Sequence, residues 1–395
     1  MGENLGKTRR KIMKNINIIK RKAIFVVMIA IVLLFSNTSN IWGITTAQDF
    51  QFGTQPSKIE LSLNPNVEVI NPYFSIEKTQ LSDGTAISRY IINGPSNPPI
   101  EYTMDRDSSI LSITNAIHLL EFPSYDWVFG CSAVSGAMIA GYYDRNGYQN
   151  IYTGPTNDGV MPITDTSWSL WYDGNALYPN NPLVASHSDV DGRTSLGSID
   201  DYWVQSESAV ADPYITGGWD QHAWATAIGD FMKTSQSAYG NVDGSTTFYN
   251  YTSSSEKLTC SAMEEAGVAE EDGTYGRKLF YEARGYLVTD CYNQKTDNNG
   301  GGFSLADFQA EIDAGHPVFL SLAGHSIVGY GYDGSTIYIR DTWDNNPDNT
   351  YTLTWGGSYE GLELLSVGIV RIEPTSPPET YLLSVTKSGD GNGQV

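Results

Sequence analysis

Two strand-like runs on either side of Asp333-Gly334 constrain this chain more than any other feature. Asp-Gly between such runs is a hairpin turn signal. A ladder closed around this turn would set His325 opposite Asp341, because residue 333 lies midway between them. Directly opposed residues share one face of the sheet, with Cβ atoms about 5 Å apart, although a slip of one residue would separate the faces. The pattern therefore predicts a carboxylate that accepts a hydrogen bond from one imidazole nitrogen and fixes the tautomer of the ring.

An imidazole held in this way leaves its other nitrogen for a thiol, and Cys131 is the candidate nucleophile. Residues 129–143 are rich in Ala, Gly, Ser and Met, which favours a helix with a small-residue face. Cys131 would lie in the first turn of this helix, where the unpaired N–H groups and the helix dipole favour a thiolate. The alternatives are a buried structural cysteine at a helix start and a surface His–Asp pair.

Cys260 and Cys291 are the other two cysteines of the chain. Cys260 falls in a helical segment, and Cys291 ends a strand-like run. They form either a disulfide or two separately buried thiols, since pairing depends on geometry that spacing does not give. In an exported protein, three cysteines leave at least one thiol unpaired within the chain.

Residues 1–47 have the pattern of an export signal. They contain eight Lys and Arg residues and one acid, and the basic residues precede the apolar run Ala23–Phe35. This run is too short for a membrane-spanning helix, which needs about 20 residues, and the order of basic, apolar and small residues is typical of a signal peptide. We expect cleavage after Ala47; the alternative is an uncleaved anchor lengthened through Trp42. In both cases the body is exported, and we expect a secreted or cell-surface protein of a bacterium.

The charge balance argues against two classes of partner. The chain has 23 Lys and Arg residues against 45 Asp and Glu, a net charge of −22, and without residues 1–47 the net charge is −29. Non-specific nucleic-acid binding depends on contacts of Lys and Arg with phosphates, and anionic membrane surfaces attract basic segments. We therefore expect no nucleic-acid partner and no stable membrane domain after signal cleavage.

The remainder of the sequence divides into three regions. Residues 48–117 are polar and carry short alternating runs, among them 67–70 and 87–92, which predict a β-rich extension or a pro-segment. Residues 118–373 carry the long helix and strand patterns and form the main domain. Residues 374–395 begin with a Pro-rich stretch typical of a stiff linker and continue as a strand and a Gly turn, which we interpret as the truncated start of a Gly-rich β repeat.

Several blocks of the main domain resemble the C39-like peptidases, a papain-like family of exported bacterial proteins. The blocks are residues 125–132, 142–144, 312–318, 324–333 and 341–344. The resemblance implies an α+β fold with two lobes, in which the Cys-bearing helix packs against an antiparallel sheet that carries the His–Asp hairpin. It also implies a cysteine peptidase in which Cys131 is the nucleophile, His325 the general base and Asp341 the residue that orients the base.

The segment before Cys131 departs from the papain-like pattern at the oxyanion hole. Papain-like enzymes place a Gln a few residues before the Cys, and no Gln occurs between residues 81 and 148. Tyr125 could donate its hydroxyl and Trp127 its indole N–H, beside the main-chain N–H of Cys131. The loss of one oxyanion-hole donor costs about 2.7–4 kcal/mol of transition-state stabilisation.

We expect no cofactor and no metal. The sequence has no His-Glu-x-x-His, no Cys-x-x-Cys and no phosphate-binding Gly loop, and the acidic residues between Asp189 and Asp201 lack the full calcium-loop pattern, which favours a solvated loop. The expected function is hydrolysis of peptide bonds in a peptide or protein substrate. The alternatives are an amidase that acts on cell-wall peptides, and a catalytically inactive surface protein used for binding or adhesion.

Overall fold

Two antiparallel sheets and the helices packed on them make up most of the described chain. This computed structural model describes residues 66–81, 83–98, 116–172, 177–185, 227–236, 239–241 and 244–374. These residues all belong to one compact unit, Gly53–Val395. The expected signal segment, the acidic stretch between Asp189 and Asp201, and the expected linker beyond residue 374 lie outside the described residues.

Helices and strands are numbered in chain order. The helices are α1 (Cys131–Arg145), α2 (Ile228–Phe231), α3 (Cys260–Ala266), α4 (Gly273–Ala283) and α5 (Leu305–Asp313). The strands are β1 (Val67–Asn71), β2 (Phe74–Gln80), β3 (Ala86–Ile92), β4 (Ile117–His118), β5 (Leu170–Tyr172), β6 (Leu177–Pro179), β7 (Thr246–Tyr251), β8 (Leu258–Thr259), β9 (Tyr286–Lys295), β10 (Val318–Leu322), β11 (His325–Asp333), β12 (Thr336–Arg340), β13 (Tyr351–Thr354), β14 (Ser358–Tyr359) and β15 (Leu362–Pro374). Within the described ranges, no helix combines the length and the apolar character that crossing a membrane requires.

The central strands of the larger sheet include the predicted hairpin. The sheet order is β13-β12-β11-β10-β15-β9-β8, and β4 and β14 pair with β11 and β15. These neighbours run antiparallel. All residues of β10 are buried, as are the first seven of β11, so both strands lie in the core. The mixture of helices with antiparallel sheet agrees with the α+β class expected from the sequence.

Helix α1 is buried along almost its whole length. Residues Cys131–Asp144 are buried, and the helix packs against β11 and α2. Small side chains permit this close packing. A Cβ at Gly136 would lie 2.8 Å from the sulfur of Met232, and one at Gly141 would lie 2.6 Å from the Tyr125 hydroxyl. The helix with a small-residue face that the sequence predicted is thus confirmed.

The hairpin of β11 and β12 forms, but its register differs from the predicted one. The closing pair is Asp333 with Thr336, so the turn residues are Gly334 and Ser335. The sequence pattern instead centred the turn on residue 333. A β-bulge at Tyr330 then adds one residue to β11 and moves the pairing back by one position.

Together the two shifts move the partner of His325 by two residues. The last pair of the ladder is Val328 with Arg340, and its continuation would place Trp343 across from His325. The predicted opposition of His325 and Asp341 is therefore wrong. Because the net shift is even, the same strand faces remain together. Accordingly, Trp343 stacks on the His325 ring with 4.0 Å between the ring centroids.

A second sheet joins the N-terminal strands to the main domain. Its order is β1-β2-β3-β7, and all of its pairs are antiparallel. The runs at 67–70 and 87–92 are confirmed as strands, in β1 and β3. β3 pairs with β7 through Ile87–Ile92, and this pairing fixes where the next residues, 93–98, enter the main domain.

Cys260 and Cys291 form a disulfide, one of the two arrangements that the sequence left open. Cys260 begins α3 and Cys291 lies in β9, with 5.4 Å between their Cα atoms. The bond therefore ties a short helix to the larger sheet. Cys131 is the free cysteine of the chain, and it is buried.

Candidate active site

Cys131 is the first residue of α1, and a sharp turn leads the chain into it. Phe129 and Gly130 have φ angles of 59° and 141°, in the region that residues with a Cβ rarely adopt. A Cβ at Gly130 would lie 2.3 Å from the carbonyl oxygen of Gly244, so this position requires glycine. The turn places the Cys131 sulfur at the N-terminal end of the helix, where the helix dipole favours negative charge.

Two serines of α1 join the helix to the strand that carries His325. The Ser132 hydroxyl lies 2.8 Å from the Ser326 hydroxyl, and Ser135 donates to the Ser326 carbonyl at 3.1 Å. The Ser326 N–H donates to the Cys131 sulfur at 3.3 Å. Because Ser326 directly follows His325, these bonds bring the start of α1 to the start of β11.

The His325 ring is held at Nε2. This atom donates to the main-chain carbonyl oxygen of Asp341 at 2.7 Å and lies 3.2 Å from the Thr342 hydroxyl. Trp343 stacks on the ring with 18° between the planes. Nδ1 is buried without a nitrogen or oxygen partner, and it lies on the side of the Cys131 sulfur. With the proton on Nε2, Nδ1 is available to accept the thiol proton.

The Asp341 carboxylate bonds to other groups. Its Oδ1 accepts from the main-chain N–H of Trp343 at 3.1 Å, and its Oδ2 accepts from the Tyr359 hydroxyl at 2.6 Å. The bond that Nε2 of His325 donates goes to the main-chain oxygen of Asp341. The predicted acceptor atom is thus corrected. The observed register places Asp341 just beyond the end of β12, where its carbonyl rather than its side chain meets the ring.

Of the two candidate oxyanion donors, Trp127 lies at the site and Tyr125 does not. The Trp127 indole N–H donates to the carbonyl oxygen of Gly94 at 3.0 Å. A Cβ built on Gly94 would come within 2.3 Å of Nδ1 of His325 and 2.4 Å of the Cys131 sulfur. The Trp127 N–H therefore points to a carbonyl directly beside the Cys–His pair.

The Tyr125 hydroxyl donates instead to the Pro162 carbonyl at 2.7 Å and lies against Gly141. Gly141 lies ten residues along α1 from Cys131, about 15 Å at the helical rise per residue. Tyr125 therefore does not reach an oxyanion at Cys131, and that prediction is wrong. The missing side chain of Gly141 leaves room for the Tyr125 hydroxyl at this point of the helix.

The surroundings of Cys131 favour its thiolate. Burial alone raises the pKa of the thiol, because a charge loses its hydration. The charge of His325 and a hydrogen bond from its ring oppose the effect of burial, and the main-chain N–H groups of Ser326 and Gly94 lower the pKa further. The pKa of Cys131 is therefore lowered from its ordinary value. The thiolate is the nucleophilic form of cysteine.

A buried carboxyl, Asp165, joins the two segments that flank the site. Its Oδ2 accepts from the Asp126 N–H at 2.6 Å, and its Oδ1 accepts from the Asn345 amide at 2.9 Å. Asp126 also forms an antiparallel bridge with Trp343. Burial raises the pKa of Asp165 to about 7, although these two hydrogen bonds oppose the shift. The carboxyl holds the segment of Trp127 against the segment of Trp343.

Metal binding has no candidate site in the described part of the chain. No group of three or more His, Cys, Asp or Glu side chains there could hold a metal ion. The acidic residues between Asp189 and Asp201, which the sequence favoured as a solvated loop, lie outside the described residues.

A family model matches most of the main domain. The model is described as the Peptidase_C39 like family, and it matches residues 119–361, more than half of the chain. The chain belongs to the peptidase C39-like family. The resemblance seen in the sequence blocks is therefore confirmed, and Cys131, His325 and Asp341 all fall within the matched part of this C39-like protein. Comparison with curated proteins and with solved structures finds no match.

Three of the residues that sequence reasoning missed at the site of this C39-like protein lie outside the sequence blocks that resemble the family. They are Gly94 beside the sulfur, Tyr359 on the Asp341 carboxylate and Asp165 between the flanking segments. Each acts through a contact between separate segments, which no local pattern records. A Gly-Pro pair at residues 94 and 95 was the one visible signal, and such pairs mark many ordinary turns.

We expect the Cys131 thiol of this C39-like protein to have a pKa below that of an ordinary cysteine thiol. The difference in thiolate ultraviolet absorbance between the wild type and Cys131→Ala measures this pKa, because Cys131 is the free thiol. His325→Ala should move the midpoint upward, since burial would then act without the opposing charge. A wild-type midpoint at or above the ordinary value would contradict the expectation.

Proposed function

We propose that this protein is an exported cysteine peptidase that hydrolyses peptide bonds in peptide or protein substrates. The observation that carries the proposal is the facing pair of Cys131 and His325, with the sulfur at the start of α1 and Nε2 anchored on a main-chain oxygen. Membership of the C39-like family supports peptidase chemistry. Export rests on the basic and apolar pattern of residues 1–47.

The proposed reaction begins when Nδ1 of His325 takes the proton of the Cys131 thiol. The thiolate attacks the carbonyl carbon of the peptide bond, and His325 protonates the leaving amine as the tetrahedral intermediate collapses to a thioester. Water then gives a proton to His325 and attacks the thioester, which releases the acid product and the thiol. The lowered pKa of Cys131 favours the first of these steps.

In this proposal, main-chain and aromatic contacts orient the general base. The bond from Nε2 of His325 to the Asp341 carbonyl keeps the ring proton away from the sulfur. The stacked ring of Trp343 limits rotation of the imidazole. A carbonyl has no full charge, so it stabilises an imidazolium less than a carboxylate would.

The oxyanion would be stabilised by the Trp127 indole N–H and the main-chain N–H of Cys131. The assignment of Trp127 is supported by its indole N–H, which donates to the carbonyl oxygen of Gly94 beside the sulfur. A donor fixed in this position stabilises charge as it develops on the substrate oxygen, without rearrangement during the reaction. This assignment replaces the Gln of papain-like enzymes with an indole.

A peptide library tests the proposal on the full chain. We expect cleavage at defined peptide bonds, and Cys131→Ala should abolish it because the nucleophile is gone. The wild-type rate is expected to be low, since Cys131 is fully buried. Cleavage that survives in a folded Cys131→Ala variant would exclude the cysteine mechanism. Hydrolysis restricted to cell-wall peptides would favour the amidase alternative.

Trp127→Phe tests the oxyanion assignment. It removes the indole N–H and keeps an aromatic ring, and we expect kcat to fall by about 10²–10³-fold. Tyr125→Phe is the matched control, because its hydroxyl bonds to Pro162 away from the sulfur; its kcat should stay near that of the wild type. An equal loss in both variants would show that Trp127 acts through packing and not through its N–H.

Asp341→Asn tests whether the main-chain oxygen orients His325. The substitution leaves the main-chain carbonyl of residue 341 unchanged. The new side-chain amide can still form hydrogen bonds with the Tyr359 hydroxyl and with the N–H of Trp343. We expect kcat/KM to fall by less than about tenfold, far below the ~10⁴-fold loss known where a carboxylate fixes the tautomer. A loss as large as that of Cys131→Ala would show that the carboxylate is the orienting group.

A further inference from the structure

The segment that follows β3 lies across the proposed active site. Gly94 is so close that a Cβ there would come within 2.3 Å of Nδ1 of His325 and 2.4 Å of the Cys131 sulfur. Both members of this pair have an exposure of 0%. A substrate carbonyl therefore cannot reach the sulfur while this segment is in place.

The contacts of the segment are those that a bound peptide would make. The Gly94 carbonyl accepts from the Trp127 indole at 3.0 Å, and the Pro95 carbonyl accepts from the Trp343 indole at 2.8 Å. The Gly94 N–H also helps to lower the pKa of the Cys131 thiol. Consecutive main-chain groups, which any peptide has, are thus the groups that the site binds.

We propose that residues 93–96 are an intramolecular inhibitor that occupies the substrate position, and that Trp343 binds the substrate main chain alongside Trp127. The proposal rests on the proposed peptidase function and adds its regulation. The full chain is latent, and it becomes active when this segment leaves the Cys–His pair.

Glycine followed by proline suits an inhibitor segment. A side chain at position 94 would collide with the imidazole and the sulfur, so glycine is required for close contact. Pro95 makes the nitrogen of the Gly94–Pro95 bond tertiary, with a ring carbon in place of hydrogen. Such a nitrogen is a crowded acceptor for the proton of His325, which favours binding over cleavage.

The N-terminal strands anchor the segment close to the catalytic pair. β3 pairs with β7 through Ile87–Ile92 immediately before the segment. The Asn71 amide donates to the Ala323 carbonyl at 2.7 Å, two residues before His325, and its Oδ1 accepts from the Tyr73 N–H. Strand pairing and the Asn71 contacts therefore oppose release of the segment, which explains how the segment is retained.

Gly94→Ala tests the proposal through the accessibility of Cys131 in the full chain. The added methyl group should displace the segment, because it would overlap the sulfur and Nδ1 of His325. We expect iodoacetamide to label Cys131 at least about tenfold faster than in the wild type, near neutral pH and with labelling measured by mass spectrometry. A tenfold change corresponds to a free energy within the range that one overpacked methyl group costs. The wild type should label more slowly than the denatured chain.

Gly84→Ala is the matched control, in the turn between β2 and β3. A Cβ at Gly84 meets nothing within 4 Å, and its φ of 87° means that alanine strains the turn without reaching the site. It should label at the wild-type rate. The proposal is overturned if folded Gly94→Ala labels like the wild type, or if Gly84→Ala accelerates labelling equally.

Asn71→Ala keeps the proposal testable if Gly94→Ala does not fold. It removes the bonds to Ala323 and Tyr73 and leaves the catalytic pair unchanged. Faster labelling of Cys131 supports release of the segment, whereas wild-type labelling in the folded variant contradicts it.

Peptide cleavage measured in the same samples separates the inhibitor from the enzyme activity. Faster labelling together with increased cleavage supports both proposals. Faster labelling without any cleavage supports the covering segment and contradicts the peptidase function. Increased cleavage with unchanged labelling would contradict the inhibitor and leave the peptidase function intact.

Discussion

The hydrogen bonds between Ser326 and the first turns of α1 are the interaction on which the site depends. Ser132 and Ser135 lie three residues apart, so they share one face of the helix, and both bond to Ser326. The N–H of the same residue bonds to the Cys131 sulfur. Each bond contributes about 0.5–1.5 kcal/mol in net terms, but an unpaired buried partner would cost more. Helix and strand are therefore held in the one arrangement that sets Cys131 beside His325.

Main-chain groups form many of the hydrogen bonds at this site. A carbonyl oxygen of Asp341 holds the imidazole of His325, and an N–H of Ser326 stabilises the sulfur. Main-chain carbonyls of Gly94 and Pro95 fill the positions that the proposal assigns to substrate. Such groups are present whatever the side chain, so their positions depend on the path of the backbone. That path is fixed by strand pairing, by the disulfide and by buried polar contacts.

The local elements could be predicted because each depends on residues close together in the sequence. The small residues after Cys131 predicted α1, and the two runs around Asp333-Gly334 predicted a hairpin. The register of that hairpin could not be obtained in the same way. The bulge at Tyr330 lies where β11 also pairs with β4 and where the Leu119 N–H donates to the Tyr330 carbonyl. Turn preferences alone do not include such contacts.

The sequence by itself determined the family, the α+β class and the candidate pair of Cys131 and His325. The tertiary structure alone decided which atoms surround that pair. It set Trp127 rather than Tyr125 beside the sulfur, used the main chain of Asp341 in place of its carboxylate, and laid the segment after β3 over the thiol. The physical reason is that each of these contacts joins segments far apart in the chain, and their separation depends on how the sheets and α1 pack together.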